Sequence, residues 1–458
     1  MAQAPLSNSG ILAAYRNKTP TSADLFEEAC RTFPSGITHD SRRIEPYGIY
    51  VERAQGPRKW DVDGNEYIDY FGGHGALLLG HNDADVGAAI SGALACGTHF
   101  GASHAGELRW AQKIQALVPS AEKVRFTSSG TEATLLALRL ARSKTRRMKI
   151  LRVRTHFHGW HDHMASGQTS HFDGSAAIGL VPGIAASTVL VDPEDLEGAR
   201  AALAAGDIAA AILEPTGSST GMVPTSPGFL EGLREATVEN GTALIFDEVV
   251  TGFRVSPGGA QGHYGIHPDL TALAKIVSGG VPGGALAGRA EFFERLDFDI
   301  TREKGIEKVG HQGTYNANPV AAAAGLAALT KLEATGACKR ANAMGARLRD
   351  GLNDAIRAAD VPWAVYGEFS VFHIFTNPMG RDDVSPDSFD PFACGYQELR
   401  GNAPGAAHKL RLAMNVNGVD LTGWPGGTIS ATHSEAEIDA TVAAFTRSLD
   451  MLKADGEL

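Results

Sequence analysis

Cysteine is scarce in this chain. Its four thiols, Cys30, Cys96, Cys338 and Cys394, stand far apart with no C-x-x-C pair, and they read as the reduced thiols of a cytoplasmic protein. Positive charge is outnumbered too. Lysine and arginine total 41 against 52 acidic residues, a formal net charge of -11 that argues against nucleic acid and against an anionic membrane surface as partners. Long apolar runs are missing. The richest stretches, Ala201 to Leu213 and Val320 to Leu329, are interrupted and alanine-rich, so no membrane span is expected. The first nine residues have neither the charged start nor the apolar stretch of a signal peptide. Low-complexity tracts and fixed-period repeats are absent as well.

What is abundant is glycine, 54 of 458 residues, set between short apolar runs. Val124-Arg-Phe, Lys149-Ile-Leu-Arg-Val, Ala209-Ala-Ala-Ile-Leu, Ala243-Leu-Ile-Phe and Thr271-Ala-Leu-Ala alternate with helical patterns. Such alternation predicts an α/β fold, a mostly parallel sheet with helices on both faces. A helix is expected near Ser22 to Thr32 and a long one from Asn318 to Ala334. Ile49 to Val51 and Trp60 to Val62 suggest a small hairpin pair turning at Asp63-Gly64. Residues 1–55 are assigned to an N-terminal arm, 56–330 to a large domain and 331–458 to a C-terminal domain with strands such as Ser370 to Phe375. The Pro-, Asp- and Ser-rich stretch from Asn377 to Asp390 is expected to be mobile.

Two charged residues close apolar runs: Asp247 in Ala243-Leu-Ile-Phe-Asp247 and Lys275 in Thr271-Ala-Leu-Ala-Lys275. Buried parallel strands would deliver both to one sheet edge. A lysine among apolar groups shifts toward its neutral, nucleophilic form, as Schiff-base chemistry needs. A carboxylate in the same site can keep a pyridinium nitrogen protonated. Together they point to pyridoxal phosphate chemistry, against the plainer reading of a strand-end salt bridge. Ser129-Gly130-Thr131 adds a helix start whose free N–H groups and hydroxyls suit a phosphate. As a helix cap alone it would be commonplace.

Two competing readings come from other features. His156, His158, His161 and His163 crowd one segment as metal ligands do, yet Trp160 stands where an H-x-H-x-D-H motif needs aspartate, and no cysteine lies nearby. A metal enzyme would also leave Lys275 and Asp247 unexplained. A binding protein that had kept the fold without its chemistry would be expected to have lost Lys275.

With these motifs the chain resembles the class III, fold-type I aminotransferases, in the branch that includes glutamate-1-semialdehyde aminomutase. The likeness runs from Pro34 to Leu329 and more loosely to the C-terminus. It rests on Trp60-Asp-Val-Asp-Gly-Asn-Glu-Tyr-Ile-Asp69, Ser129-Gly-Thr-Glu-Ala133, His158-Gly159, Glu214-Pro215, Phe246-Asp-Glu-Val-Val-Thr-Gly-Phe-Arg254, Lys275, Gly313-Thr314 and Asn318-Pro319. Within the branch the chain is most similar to the D-phenylglycine aminotransferases, through Tyr70-Phe-Gly-Gly-His74, Ala102-Ser-His104, His158-Gly-Trp-His161, Ser170-His-Phe-Asp-Gly174 and His311-Gln-Gly-Thr314.

The resemblance implies a large cofactor domain, a smaller α+β domain built from both termini, and a homodimer with a composite active site. Lys275 is then the Schiff-base lysine and Asp247 the pyridinium partner, with Val249 behind one ring face. Ser129, Gly130 and Thr131 hold the phosphate, joined by Thr314 from the other subunit. Glu214 serves the 3-hydroxyl side, and His158 lines the cofactor with Phe157, which stands where a tyrosine is usual and lacks its hydroxyl. Arg42 matches the arginine that takes the substrate carboxylate. The acid that the aminomutases place near it has no counterpart in Leu421-Thr-Gly-Trp424-Pro-Gly-Gly-Thr428. That favours transfer between two substrates over an internal amino shift. His74, His99, Phe157 and Trp424 suggest an aromatic pocket. The expected reaction carries an amino group from a D-phenylglycine-like α-amino acid to a 2-oxo acid such as 2-oxoglutarate; β-amino acid transamination and an aminomutase reaction are the alternatives.

Overall fold

A computed structural model describes residues 9–168, 171–181, 183–401 and 404–458. The chain forms two compact units, one of residues 84–338 and one from both ends of the chain, up to residue 83 and from 339 onward.

In the terminal unit, β1 (Val51–Gln55), β2 (Arg58–Asp61) and β3 (Glu66–Asp69) form an antiparallel meander, and β14 (Val419–Asp420) adds in parallel to β3. Val51 does lie opposite Asp61, but the chain reverses between them at Gly56–Pro57, and Asp63-Gly64 turns β2 into β3. The pairing Val419↔Ile68 and Asp420↔Asp69 ties the first strands to the last quarter of the chain. The expected domain start at residue 56 therefore falls inside this unit, and the expected 330 falls inside the other, within the Pro319–Thr335 helix. A second sheet orders β12 (Ala364–Tyr366), β13 (Val371–Phe375) and β15 (Gly426–Thr428). Its core gathers Tyr15, Tyr70, Leu352, Trp363, Phe372, Leu410 and Phe445, residues far apart in sequence. The Asn377 to Asp390 stretch has no helix or strand, but ion pairs tether it: Arg381 to Glu398 at 3.3 Å and Arg357 to Asp387 at 2.9 Å.

The 84–338 unit is built on a seven-stranded sheet. Its strands are β4 (Lys123–Thr127), β5 (Lys149–Val153), β6 (Thr188–Val191), β7 (Ile208–Leu213), β9 (Ala243–Asp247), β10 (Leu270–Ala274) and β11 (Gly284–Gly288); β8 (Val223–Pro224) forms only a short bridge pair with residues 217–218. The order is β4-β11-β10-β9-β7-β5-β6, and only β11 runs against the rest. Strand residues alternate between two cores, as a pleated sheet covered on both faces requires. Ile150, Ala210 and Ile245 pack on one side with Leu136 and Leu140; Leu151, Ala211 and Leu244 pack on the other with Leu230 and Leu233. β7 is buried at every position. The Gly130–Thr145 helix starts at the Ser129 cap and ends at Arg146 in a left-handed turn. The Pro319–Thr335 helix has Asn318 as its cap and proline at its first position, a strong local start signal.

Candidate active site

Four of the singled-out residues sit where parallel strands end at one edge of the large sheet. Asp247 is the last residue of β9, Lys275 follows β10, Glu214 follows β7, and Ser129 lies just past β4. In an open α/β sheet the C-terminal ends of the strands are where ligands bind. Adjacent register fixes the placement: Asp247 lies beside Ala272 of β10, and Ala274 pairs with Gly284, which pairs with Thr127.

The helix start comes in close contact. A methyl group on Gly130 would stand 2.8 Å from Val249 Cγ2 and 3.4 Å from the Ala274 side chain. Gly130 thus touches the residue two beyond Asp247 and the one before Lys275. Only a residue without a side chain lets the phosphate-type helix N-terminus approach so near. Ser129 caps this helix by accepting from the Glu132 N–H at 3.2 Å.

Asp247 is 4 % exposed. Its Oδ1 accepts from the Val249 N–H at 3.1 Å, and its Oδ2 faces His158 Nδ1 at 2.8 Å. Burial pushes the carboxyl up to about 7, against the lowering effects of the Val249 N–H, Lys275 and Arg152. Burial, then the Arg152 charge, holds His158 far below the ordinary imidazole range, so the ring is neutral. A neutral ring that donates from Nδ1 to Asp247 leaves Nε2 bare, and that atom has no partner among the described residues. Glu214 is a second buried acid, raised to about 7 by burial and then by the Asp247 charge. Its Oε1 accepts from the Phe157 N–H at 2.8 Å and the Ser219 N–H at 3.3 Å.

Lys275 adopts a left-handed backbone, φ 55°. Such a conformation in a non-glycine residue stores strain of the kind found at functional sites. Burial lowers the pKa of its amine, Asp247 and Glu214 draw it back up, and Arg254 lowers it again. The amine is thereby moved toward the nucleophilic form.

Two of the four clustered histidines are held by their neighbours in the site. His156 Nδ1 accepts from the Glu214 N–H at 2.9 Å, and His158 is committed to Asp247. Holding this loop is Arg152 of β5, fully buried, which donates to the carbonyls of Met164 and His156. Sequence reasoning passed over Arg152, although an arginine inside an otherwise apolar strand was the available signal. His158 was expected to line the cofactor; its bond to the Asp247 carboxylate came only with the structure.

Two further residues of this unit are exposed. Phe157 is 56 % exposed, an aromatic face open beside the buried His158. Thr314 is also exposed; its carbonyl meets His99, and Asn316, two residues on, accepts from Ser128 at 3.3 Å.

The remaining candidates belong to the terminal unit. Arg42 is exposed, donates to Thr38 Oγ1 at 2.8 Å, and shares a cavity of about 580 Å³ with His74. His74 stacks on His39 with ring centres 4.8 Å apart. Trp424 does not line that cavity. Its indole donates to the Arg400 carbonyl at 3.1 Å, with the Arg400 guanidinium over the ring.

The 84–338 site fits a pyridoxal phosphate group on its own chemistry. A buried carboxylate held up at about 7 lacks a cation, and a protonated ring nitrogen is one. A depressed amine stands ready for an aldehyde. A helix N-terminus without a side chain at Gly130 leaves room for phosphate.

Comparison with known proteins agrees. Residues 40–378 match the family model described as aminotransferase class-III. A glutamate-1-semialdehyde 2,1-aminomutase 2 of Brevibacillus brevis is 44% identical over 442 residues, covering 93% of this chain and 98% of that protein. A structure described as a transaminase with PLP bound superposes with a TM-score of 0.84 at 33% identity, covering 96% of this chain and 99% of that one. A β-phenylalanine aminotransferase from Variovorax paradoxus gives 0.81 at 29% identity, with 97% of each chain covered. With its lysine, aspartate and helix start brought to one sheet edge, the chain belongs to the class III aminotransferases, fold-type I enzymes that work through pyridoxal 5′-phosphate.

Proposed function

We propose that the protein transfers an amino group from an aromatic α-amino acid of the D-phenylglycine type to a 2-oxo acid such as 2-oxoglutarate. The observation that carries the chemistry is the meeting of Lys275, Asp247 and the Gly130 helix start at one edge of the sheet.

When bound, pyridoxal phosphate supplies an aldehyde that takes up the amine and a ring that accepts the electron pair left by C–H cleavage. This chain's residues do the rest. The Asp247 carboxylate holds a proton on the ring nitrogen, and that cation in turn lowers the aspartate's raised pKa. His158, kept neutral by burial, fixes the carboxylate by donating from Nδ1. Once its amine is free, Lys275 takes the proton from the substrate carbon and returns one at the end of the transfer. Ser129, Gly130 and Thr131 anchor the phosphate, and Val249 and Phe157 cover the ring. Glu214, pinned by the Phe157 and Ser219 N–H groups, stands for the 3-hydroxyl side. Thr314, exposed on its loop, is offered to a neighbouring copy in a homodimer. Arg42 binds the substrate carboxylate.

The experiment is a donor panel followed by spectroscopy of the loaded enzyme: D-phenylglycine, its L-enantiomer, β-phenylalanine, and an aromatic amine without carboxylate. D-phenylglycine should convert fastest. Equal rates for the carboxylate-free amine would remove Arg42 from the reaction.

Two other reactions have specific support. Similarity to the Brevibacillus aminomutase favours an internal amino shift, which the absence of an acid between Leu421 and Thr428 opposes. Likeness to the Variovorax enzyme favours a β-amino acid donor. Turnover of glutamate-1-semialdehyde without any acceptor selects the first, and activity confined to β-phenylalanine selects the second.

A further inference from the structure

Thr314 is fastened by its backbone and free at its side chain. The turn at residues 314–317 leads into the Pro319–Thr335 helix, and Ala317 adopts a left-handed backbone, φ 52°. A non-glycine residue keeps that conformation only where its surroundings hold it. Two histidines do so. His99 Nε2 meets the Thr314 carbonyl, and His104 Nε2 lies 2.8 Å from the Ala317 carbonyl. Among the described residues the hydroxyl of the exposed Thr314 bonds to nothing.

The backbone settles which nitrogen carries each proton. A backbone N–H can only donate, so His99 Nδ1 accepts from the Gly101 N–H at 3.0 Å and His104 Nδ1 accepts from the Glu107 N–H at 3.3 Å. With Nδ1 bare, each ring's proton sits on Nε2 and is donated to a carbonyl of the turn. The Glu107 carboxylate, 3.8 Å from His104 Nε2, is too distant to compete for it. Each histidine thus does two jobs. One nitrogen closes a local turn, for His104 as the cap of the Ala105–Leu117 helix. The other reaches across 215 positions from His99 and 213 from His104 to hold the same distant turn. We propose that His99 and His104 are positioning residues for cofactor binding: they fix the 314–317 turn so that the free Thr314 hydroxyl is presented to the cofactor phosphate of a neighbouring copy. The inference rests on the reading of Thr314 as a phosphate ligand across a homodimer; the hold on its backbone stands on the hydrogen bonds alone.

Asparagine separates the two jobs. Its side-chain oxygen stands where Nδ1 does and can accept from the same N–H, but it is too short to reach the carbonyl of the turn. In equilibrium dialysis of the full-length protein against pyridoxal phosphate, His99→Asn and His104→Asn should each raise the apparent Kd by about three- to tenfold, the loss of one hydrogen bond. The denaturant midpoint and sedimenting mass of the cofactor-free variants should stay those of the unsubstituted protein. Combined with Thr314→Ala, neither substitution should weaken binding beyond Thr314→Ala alone, because the histidines act only through that hydroxyl. Losses that add overturn the proposal, and so does a smaller sedimenting mass, which would mean that the histidines hold an interface. If one variant fails to fold, the other carries the same test. Weakened binding in Thr314→Ala beside unchanged Kd values in the Asn variants removes this inference alone. Binding untouched by Thr314→Ala removes the shared-phosphate reading and this inference with it.

Discussion

Lys275 and Asp247 act through environment rather than identity. Protein surrounds both, one losing and one gaining affinity for its proton, and each shift is partly undone by the charge of the other. Lys275→Ala is expected to remove the imine absorbance of the loaded protein and at least 10³-fold of its activity, since covalent and acid–base roles are lost together. Circular dichroism should remain unchanged. Near-normal turnover in that variant would end the assignment. Asp247→Asn keeps the shape but cannot hold a charged ring nitrogen, so cofactor stays bound while proton abstraction slows by about 10² to 10⁴-fold. A primary deuterium isotope effect that grows in this variant checks it. Arg42→Lys should raise KM for amino acids with little change in kcat, because a point charge cannot match the carboxylate plane. A kcat loss at constant KM would place Arg42 elsewhere in the reaction.

Among the elements, the turn after Lys275 is held from behind by the Pro319–Thr335 helix. A methyl group on Gly325 of that helix would stand 2.4 Å from the Val277 carbonyl and 2.5 Å from Trp110 Nε1. Trp110 Nε1 donates to that same carbonyl at 2.9 Å. Gly325→Ala must therefore break the bond or push the Lys275–Ser278 turn, at a cost of about 1–3 kcal/mol for overpacking. Denaturant unfolding measures the loss, and a shift in the absorbance of the lysine–cofactor bond reports whether the turn moved. Wild-type stability would show that the helix simply backs away. Strand reading from sequence found β4, β5, β7, β9 and β10 but passed over β6, although Thr188-Val-Leu-Val191 is apolar and β-branched. It also passed over β11, because Gly284-Ala-Leu-Ala-Gly288 has glycine at both ends and small residues between. Packing explains the choice: a methyl group on Gly284 would meet Thr127 Oγ1 at 2.7 Å and the Ser129 carbonyl at 2.8 Å. An antiparallel strand squeezed between β4 and β10 is a property of that crowding, not of local propensity.

At the scale of the molecule, the cofactor-free protein contains two buried acids whose folded pKa values lie near 7, above their ordinary range. Between about pH 4 and 7 these two acids bind more protons in the folded state than in the unfolded one, a contribution that falls as pH rises, while His158, His161 and His433, which burial keeps neutral, contribute in the opposite sense. Each such proton contributes about 1.4 kcal/mol per pH unit. The denaturant midpoint of cofactor-free protein relative to Asp247→Asn, a difference that isolates the aspartate from the histidines, should fall from pH 5 to pH 8, and cofactor should shrink that fall by supplying a cation. A difference that does not fall over this range would mean that Asp247 stays charged without penalty. Thr314→Ala should weaken cofactor retention without slowing the chemical step, and dilution that separates copies should do likewise. Full activity in a monomer at working concentration would remove Thr314 from a shared site.

By itself the sequence determined that this is an α/β chain with a lysine and an aspartate at strand ends and a phosphate-type helix start. Those features are written locally, in apolar runs that stop at a charge and in a Ser-Gly-Thr cap, so neighbouring residues suffice to read them. Tertiary structure alone decided that Gly130 touches Val249 and Ala274, that His158 fixes Asp247, and that the first strands join β14. Each of these joins residues tens to hundreds of positions apart. Their contact depends on how whole strands and helices pack, and burial by distant chain is what moves the pKa values on which the chemistry runs.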